Sequence, residues 1–286
     1  HAAPNPMVGA VIVHGDRIIG EGWHRRCGEA HAEVNAVDSV RPEDVSLLPE
    51  ATIYVSLEPC AHWGKTPPCA NMIVEKRFAR VVVGCVDPFA KVQGRGIKIL
   101  RQAGIDVTVG VLEDECRELN RKFITMHTYM RPWITLKWAQ SSDGFIDRKR
   151  TSLTDGHAVR FSSPWTRMLV HRLRATHQAI LVGRRTMELD APMLTTRYWA
   201  GDSPMRIVLG GGMDIVAMLN DLYEQNVQSL LVEGGRQTLQ SFIDADLWDE
   251  AFVEKTEGVL HDGVPVPTLP VDETILKGRA VHVNFT

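Results

Sequence analysis

Apolar, β-branched runs alternate with segments of helical periodicity between residues 8 and 125. The pattern predicts strands over 8–13, 17–22, 52–57, 80–86 and 106–111. It predicts helices between and after them, over 30–40, 69–76, 96–103 and 113–125. Because strands that alternate with helices form a sheet covered by helices, this half of the chain predicts a layered α/β domain.

A second alternating series follows a break at 128–132. It predicts strands over 133–138, 179–182, 205–209 and 229–232, with helices over 164–174 and 237–244. We therefore place a domain boundary near Met130, with one domain over 1–127 and a second α/β domain over 131–286.

Composition and charge narrow the class of protein. A chain of 286 residues is long enough for two domains, and 44% hydrophobic and 23% charged residues are typical of globular proteins. The net charge of −3 argues against a general nucleic-acid-binding protein, and five cysteines, an odd count, argue against a disulfide framework.

No run is apolar and long enough to cross a bilayer and no signal peptide is evident, so we expect a cytoplasmic protein. Since the chain begins at His1, we also expect a preceding segment.

The strongest chemical signal is a set of potential metal ligands in the first domain. His31 opens a predicted helix, Cys60 follows Pro59 at the end of a predicted strand, and Cys69 opens the next helix. One imidazole and two thiolates provide three protein ligands, so a tetrahedral zinc keeps its fourth position for water, as in catalytic zinc sites. Zinc lowers the pKa of this water towards neutrality and makes a nucleophile available.

Glu33 lies two residues after His31 and can supply the remaining chemistry of a deamination. A proton must leave the attacking water and reach the ring nitrogen and the departing ammonia, and a carboxylate that is not a ligand can transfer it. Zinc deaminases of nucleobases carry an H-x-E and P-C-x-x-C signature, whereas the cysteine pair here is wider, P-C-x8-C. Taken singly, these residues are compatible with a helix cap, core thiols and a solvated carboxylate, but their order favours the metal site.

A glycine pair marks a second candidate site. The segment 232–235, Val-Glu-Gly-Gly, closes a predicted strand and opens a predicted helix. Glycines at such a junction let backbone N–H groups approach a phosphate at the helix N-terminus. The same turn is also common as an ordinary loop between a strand and a helix, so the residues alone leave both interpretations open.

Longer motifs in both halves resemble one family, the bifunctional RibD proteins of riboflavin biosynthesis. In the first half they are the segments 3–10, 31–34, 57–69, 87–88 and 94–96. In the second half they are 137–144, 174–177, 180–183 and 232–235, with Thr186, Asp190, Leu194, Thr195 and Arg197. The resemblance in the first half covers nearly all of residues 3–123.

The resemblance implies a cytidine-deaminase-like first domain with three α/β/α layers. Its substrate would be 2,5-diamino-6-ribosylamino-4(3H)-pyrimidinone 5′-phosphate, with zinc bound by His31, Cys60 and Cys69 and protons transferred by Glu33. Four further residues would line the substrate pocket: Asn5, His62, Lys65 and Thr66. A loop with a lysine, a histidine and a threonine hydroxyl is compatible with a polar anionic ligand.

The same resemblance implies a dihydrofolate-reductase-like second domain that uses NADPH to reduce the ribosyl group to ribityl. Dinucleotide contacts would come from Thr186, Asp190, Gly234 and Gly235. Substrate contacts would come from Arg174, Leu194, Arg197 and Glu233. The guanidinium groups suit a phosphate because they form paired hydrogen bonds, and ordinary surface charge is the alternative for both arginines.

The second half departs from the family pattern. Arg160 or Phe161 stands where the family usually has a tryptophan, and 209–213 runs almost directly into 214–225, where the family has several dozen more residues. The end of the chain after Pro270 also looks short. The residues are either lost from this chain or omitted from the sequence, and the intact flanking motifs favour omission. A true loss would put NADPH binding in doubt, but not deamination.

Three functional hypotheses follow. The first is a two-step enzyme that deaminates and then reduces a phosphorylated pyrimidine, as a homo-oligomer (dimer or tetramer) with no nucleic-acid or membrane partner. The second is a deaminase whose C-terminal domain is a non-catalytic scaffold. The third is a nucleic-acid-editing deaminase, against which the charge balance and the wide cysteine spacing argue.

Overall fold

The structure, a computed structural model, describes residues 2–63, 67–89, 93–270 and 279–284. The chain folds as two units, His1–Met130 and Arg131–Thr286. Within the described ranges, no helix combines the length and the apolar character needed to cross a membrane.

The N-terminal unit is built on one mixed sheet. Its strands are β1 (Gly9–His14), β2 (Arg17–Trp23), β3 (Thr52–Leu57), β4 (Arg80–Cys85) and β5 (Asp106–Val109). They lie in the order β2-β1-β3-β4-β5, with β1 antiparallel to both neighbours and β3, β4 and β5 parallel. All five predicted strands of this half are therefore confirmed.

Helices cover both faces of this sheet. They are α1 (Ala32–Asp38), α2 (Cys69–Glu75), α3 (Arg95–Gln102), α4 (Glu113–Leu119) and α5 (Arg121–Tyr129), with a 3-10 helix at Pro42–Glu50. Buried side chains of the first three helices share a core with Ile53 and Val81 of the sheet. On the other side of β4, a Cβ atom at Gly84 would lie 2.3 Å from Sγ of Cys116, so α4 packs closely there. The result is the layered α/β arrangement that the sequence predicts.

Helix α1 lies directly on the backbone of β2 because two glycines of that strand have no side chain. A Cβ atom at Gly22 would lie 2.4 Å from the backbone nitrogen of Ala36, and one at Gly20 would lie 2.5 Å from its carbonyl oxygen. Neither separation is tolerated by close-packed atoms. The two glycines thereby set the height of α1 above the sheet, and with it the position of His31, which is the N-cap of the helix.

The structure corrects the prediction of a single helix over 113–125. Asn120, with φ −108° and ψ 16°, separates α4 from α5. Its side-chain amide donates to the carbonyl oxygen of Met7 at 2.9 Å, and its side-chain oxygen accepts the N–H of Met7 at 2.8 Å. This paired contact ties the break to the N-terminal segment, 113 residues away along the chain, and no local periodicity could reveal it.

The C-terminal unit contains a parallel sheet. Its strands are β6 (Trp133–Gln140), β8 (Ala179–Gly183), β9 (Met205–Leu209), β10 (Ser229–Val232), β11 (Glu250–Lys255) and β13 (Ala280–Val283). They lie in the order β13-β11-β6-β10-β8-β9, and each pair is parallel. A separate antiparallel pair consists of β7 (Phe145–Asp147) and β12 (Val264–Pro265).

Helices also flank this second sheet. They are α6 (Pro164–Ala175), α7 (Arg184–Asp190), α8 (Ile215–Glu224) and α9 (Arg236–Asp244), with a short 3-10 helix at Leu153–Asp155. Side chains of α8 and α9 form one core with Leu136 and Leu230, whereas Leu173 of α6 and Met187 of α7 pack on a second cluster around Ile180. Strand β8 is followed at once by α7, and three residues, 233–235, join β10 to α9.

Replacement of Gly22 by alanine should destabilise the N-terminal unit. We expect Gly22→Ala to lower its free energy of unfolding by at least about 2 kcal/mol, because the new methyl group meets backbone that has no rotamer to change. Calorimetry of the full chain should place the corresponding transition roughly 5 °C or more below that of the wild type.

Gly9→Ala on the neighbouring strand is the matched control, because a Cβ atom there meets no heavy atom within 4 Å beyond its chain neighbours. It should melt close to the wild type. If Gly22→Ala melts like Gly9→Ala, the close approach of α1 to β2 is not a requirement of the fold.

Candidate active sites

Three potential metal ligands from separate segments of the N-terminal unit converge near the end of β3. His31 is the N-cap of α1, Cys60 follows β3, and Cys69 is the first residue of α2. Nδ1 of His31 lies 3.5 Å from Sγ of Cys60 and 3.3 Å from Sγ of Cys69. The structure thus brings together all three residues that the sequence assigns to the metal.

The separations between these atoms fit a zinc ion. Tetrahedral zinc with ordinary Zn–N and Zn–S bonds places a nitrogen and a sulfur ligand about 3.6 Å apart. The three candidate ligand atoms lie within 4.8 Å of one another, and the described residues contain no second group of this kind. A set of three protein ligands leaves the fourth tetrahedral position open, as a catalytic site requires.

The two candidate thiol ligands, Cys60 and Cys69, differ in pKa. Hydrogen bonds from the Cys69 thiol and from His31 lower the pKa of Cys60 to about 4, although burial opposes this shift. The backbone N–H of Cys69, at the start of α2, also donates to Sγ of Cys60 at 3.2 Å. The hydrogen bond to Cys60 and burial raise the pKa of Cys69. A cation that binds here meets one thiolate already formed, and metal ligation removes the remaining proton.

Glu33 lies in the first turn of α1 and is 3% exposed. Burial raises the pKa of its carboxyl group to about 7, with His31 and Cys60 among the charges that act on it. A carboxyl group with a pKa near neutrality can both accept and donate a proton. The structure therefore places an acid–base group beside the three ligands without including it in the ligand set.

A chain of hydrogen bonds places Asn5 near this site through His24, which is 6% exposed. Nδ1 of His24 donates to the carbonyl oxygen of Ala30 at 3.0 Å, so its Nε2 accepts the side-chain amide of Asn5 at 3.1 Å. Oδ1 of Asn5 accepts the thiol of Cys27 at 3.6 Å. The His24 ring meets the His31 ring edge to face, 5.5 Å between centroids. His24 was not among the predicted site residues, because a single histidine after a strand carries no motif.

A cavity of about 400 Å³ adjoins His24. Its walls are mostly apolar, and they are formed by Ala2, Met7, Val8, Gly9, Trp23, His24, Arg25 and Leu119. The volume is typical of a small-molecule site. None of the three candidate zinc ligands lines it, so the cavity lies beside the histidine that holds Asn5 rather than at the thiols.

The loop between Cys60 and Cys69 is described only in part. His62 is exposed. Lys65 and Thr66, the other two pocket residues that the resemblance implies for this loop, lie outside the described residues. All five cysteines lie within the described residues and are free thiols, with Cys85 buried.

In the C-terminal unit, two residues predicted to bind the dinucleotide meet at the start of α9. A Cβ atom at Gly235 would lie 3.5 Å from Oγ1 of Thr186, an ordinary contact. Gly235 is the N-cap of α9, and no side chain among the described residues caps this end. The first backbone N–H groups of the helix are therefore available to a phosphate.

Thr238 of α9 fills the space left by two other glycines. A Cβ atom at Gly183 would lie 2.5 Å from Oγ1 of Thr238, and one at Gly234 would lie 2.6 Å from Cβ of Thr238. The first turn of α9 is thus seated on the ends of β8 and β10 together. The uncapped turn at Gly235 remains the candidate phosphate cradle, whereas Gly234 serves the packing of Thr238.

Asp190, the fourth predicted dinucleotide residue, lies at the end of α7 and pairs with Arg150 at 2.8 Å. Arg150 is buried and also pairs with Asp147 at 2.6 Å. The carboxylate of Asp190 is therefore held by a fixed guanidinium group. Its contact with a dinucleotide stays a prediction.

Two of the predicted substrate residues form an ion pair whose side chains are each 12% exposed. Nε and Nη2 of Arg174 donate to the two carboxylate oxygens of Glu233 at 2.9 and 2.7 Å. Burial opposes ionisation, but these bonds hold the pKa of Glu233 below its usual range. Lys137 of β6 faces this pair, and burial lowers the pKa of its ammonium group. The sequence motif contains Lys137, yet its role could not be recognised before the pair was located.

The two remaining substrate residues differ in exposure. Leu194 is 2% exposed and packs with Ile180, Val182 and Leu231. The backbone N–H of Arg197 donates to Nδ1 of His171 at 2.8 Å, while its exposed guanidinium group donates to Oγ1 of Thr195 at 2.7 Å. His171 thus holds the loop that presents Arg197. The substrate contacts of both residues remain predictions.

Comparisons with known proteins agree with these two sites. The cytidine and deoxycytidylate deaminase zinc-binding region matches residues 1–85. The RibD C-terminal domain matches residues 132–212 and 208–253, in two segments. The first match contains the three candidate zinc ligands and Glu33, and the second contains the glycine turn and the Arg174–Glu233 pair.

Whole-chain relatives combine the same two domains. The chain is 35% identical to riboflavin biosynthesis protein RibD of Aquifex aeolicus, covering 98% of this chain and 89% of the relative. It is 33% identical to the protein of the same name in Escherichia coli, covering 87% of this chain and 81% of the relative. A solved Thermotoga maritima structure, described as a diaminohydroxyphosphoribosylaminopyrimidine deaminase/5-amino-6-(5-phosphoribosylamino)uracil reductase, superposes with a TM-score of 0.82 at 33% identity, covering 95% of this chain and 86% of that one.

These findings confirm the predicted fold class, the zinc-dependent deaminase and the NADPH-dependent reductase. They leave no reason to prefer the scaffold or the nucleic-acid-editing hypothesis. The chain belongs to the RibD family, the bifunctional deaminase–reductases of riboflavin biosynthesis.

Proposed function

We propose that this chain deaminates 2,5-diamino-6-ribosylamino-4(3H)-pyrimidinone 5′-phosphate and then reduces the ribosyl group of the product to ribityl. The observation that carries the first step is the convergence of His31, Cys60 and Cys69 beside the buried Glu33. The reaction names of the similar Thermotoga maritima enzyme support the substrate. Supplying this substrate with and without NADPH, and identifying the products, tests both steps.

In the deamination, His31, Cys60 and Cys69 hold the metal and Glu33 moves the protons. Zinc, when bound, supplies a Lewis acid that activates water for attack on the ring carbon. Glu33 accepts one proton from the attacking water and delivers it to the ring nitrogen. It then carries the proton of the newly attached hydroxyl group to the departing amine, so that a C–N bond is exchanged for a C–O bond and ammonia leaves. Burial raises the pKa of this carboxyl group, which favours its role as proton acceptor and donor in turn.

Four side chains are proposed to hold the substrate of this step: Asn5, His62, Lys65 and Thr66. Support for Asn5 comes from His24, which fixes the orientation of its amide beside the metal site. The other three rest on the resemblance of the Cys60–Cys69 loop to the family motif.

In the reduction, the uncapped N-terminus of α9 at Gly235, next to Thr186, is proposed to receive the dinucleotide phosphates, with Gly234 in the same turn. NADPH, when bound, supplies the hydride. Hydride delivery to the sugar carbon breaks its bond to the ring oxygen, which takes up a proton. Glu233 is proposed to orient the sugar, Lys137 to supply this proton, and Arg197 to bind the phosphate.

We assign deamination to residues 1–127 and reduction to 131–286. The division of the chain after Met130 supports this assignment. We also propose that a stretch of the family domain is absent from this sequence after Leu209. The two matched segments of the RibD C-terminal domain, which meet at 208–212, support this interpretation.

We further propose that the protein is a cytoplasmic homo-oligomer. Its free thiols support a reducing compartment. Light scattering of the purified protein at several concentrations measures the assembly state directly.

Removal of either thiolate ligand should abolish both metal binding and deamination. Cys60→Ser and Cys69→Ser are each expected to lose the roughly one zinc per chain of the wild type, because two protein ligands do not retain the ion. Metal analysis after gel filtration and an ammonia-release assay measure the two effects. Cys85→Ser is the matched control, since Cys85 is buried away from the ligand set. Normal ammonia release by either zinc-free variant would contradict the assignment.

Glu33→Gln should keep zinc but lose deamination. The amide preserves the size of the side chain and cannot transfer a proton, so ammonia release should fall by a factor of about 100 or more. Metal analysis of the same preparation separates the two possible roles. Zinc loss in this variant would make Glu33 a ligand or a structural support.

Gly235→Val should block reduction alone. The contact of a Cβ atom at Gly235 with Thr186 is ordinary, so the fold should tolerate the change, but the branched side chain projects where a dinucleotide phosphate would approach the helix. We expect loss of NADPH consumption with the already deaminated substrate and unchanged ammonia release.

Calorimetry of the full chain is the folding control for the C-terminal unit, and unchanged ammonia release shows that the deaminase unit is unaffected. Glu33→Gln is the counterpart, because it should still consume NADPH. If Gly235→Val binds NADPH with wild-type affinity in a fluorescence titration, the proposed phosphate cradle is wrong.

A further inference from the structure

Glu58 is a buried carboxylate that neither proposed reaction uses. It follows the last residue of β3, precedes Cys60 by two residues and is 4% exposed. Its two oxygens accept four backbone N–H groups: Asp87 at 3.3 Å and Gly94 at 2.9 Å on Oε2, with Gly96 at 2.9 Å and Ile97 at 3.3 Å on Oε1. A buried carboxylate that accepts this many hydrogen bonds is held in a single orientation.

The donors identify what Glu58 binds. Gly94 is the N-cap of α3 and carries no capping side chain, and Gly96 and Ile97 are the second and third residues of that helix. These are the N–H groups that an N-cap aspartate or serine normally accepts. Glu58 therefore caps α3 from a distant segment, and its negative charge is also favourable at the positive end of the helix dipole.

Backbone packing joins the same helix to the next residue of the turn. A Cβ atom at Gly96 would lie 2.0 Å from the carbonyl oxygen of Pro59, so the first turn of α3 rests directly on the peptide that leads into Cys60. On its other side, Cys60 is bound by α2: the N–H of Ala70 donates to its carbonyl oxygen at 3.2 Å, and the N–H of Cys69 donates to its Sγ.

We propose that Glu58 is a positioning residue of the zinc site: by capping α3 it fixes the Glu58–Pro59–Cys60 turn and keeps Sγ of Cys60 at ligating distance from the other two ligands. The inference rests on the proposed ligand set. It assigns Glu58 no contact with metal or substrate. Groups that orient metal ligands without touching the ion contribute about 10–100-fold to metal affinity or activity when they are replaced.

Glu58→Gln tests the inference with little change of volume. One carboxylate oxygen becomes an NH₂ group that faces two N–H donors, so two of the four hydrogen bonds are replaced by repulsion. We expect zinc affinity of the full chain, measured by competition with a chromophoric chelator, to fall about 10–100-fold. The cobalt-substituted protein should show altered d–d and thiolate charge-transfer bands, because the Cys60 ligand is displaced.

Gly96→Ala is an independent test, since it pushes on the Pro59 carbonyl oxygen without altering a carboxylate or a ligand. It should weaken zinc binding in the same direction. Glu75→Gln is the matched control, because Glu75 is exposed on α2, and it should match the wild type in affinity and spectrum. NADPH consumption with deaminated substrate should be unchanged in all three variants, and calorimetry of each variant shows whether the N-terminal unit is folded.

The inference is overturned if Glu58→Gln and Gly96→Ala melt at lower temperature but retain the zinc affinity and the cobalt spectrum of the wild type, which would make Glu58 a support of α3 only. If Glu58→Gln does not fold, Glu58→Asp replaces it, because the shorter carboxylate keeps the charge but cannot reach both pairs of donors. Cys60→Ser distinguishes the two levels of proposal: zinc retained in that variant refutes the ligand set, whereas zinc lost there but retained in Glu58→Gln refutes only the role of Glu58.

Discussion

The contact of helix α1 with the bare backbone of β2 is the constraint from which the metal site is built. Gly20 and Gly22 remove the side chains that would otherwise separate the helix from the strand. The start of α1 therefore lies close enough to the sheet for His31 to contact the thiols of Cys60 and Cys69. Each ligand comes from a different segment, so their mutual distances are a property of the packed layers and of no single loop.

Burial gives two glutamates of this chain opposite properties. Glu33 is buried beside the metal ligands, and desolvation raises the pKa of its carboxyl group to about 7. The side chain of Glu233 is 12% exposed, and two hydrogen bonds from Arg174 hold its pKa below the usual range. A fixed guanidinium group keeps this carboxylate charged, whereas desolvation without such a partner side chain favours the protonated form of Glu33.

The sequence predicted most of the layered architecture because buried strands such as 80–86 and 229–232 are short, apolar and bounded by turns. It missed β11, where the pattern is obscured because Glu250 and Glu254 are buried among strand residues. It also missed α7, which has no buried residue and so no apolar stripe to recognise. The break at Asn120 escaped prediction for a different reason, since it depends on a partner more than a hundred residues away.

The candidate ligands were recognisable because zinc chemistry demands particular side chains in a particular order. The residues that orient them were not. His24 and Glu58 act through hydrogen bonds to a carbonyl group, an amide or a helix end, and any polar side chain could stand at such a position in the sequence. Their partners become identifiable only when segments that are distant along the chain are brought together.

The side chain of Thr238 has a consequence for how this family can diverge. One threonine occupies the volume vacated by Gly183 on β8 and Gly234 after β10, so three positions share a single packing space. A larger residue at either glycine can be accommodated only if position 238 becomes smaller, and the threonine cannot grow while both glycines remain. The three positions should therefore covary among related sequences as one unit, even though they are separated by as many as 55 residues in the chain.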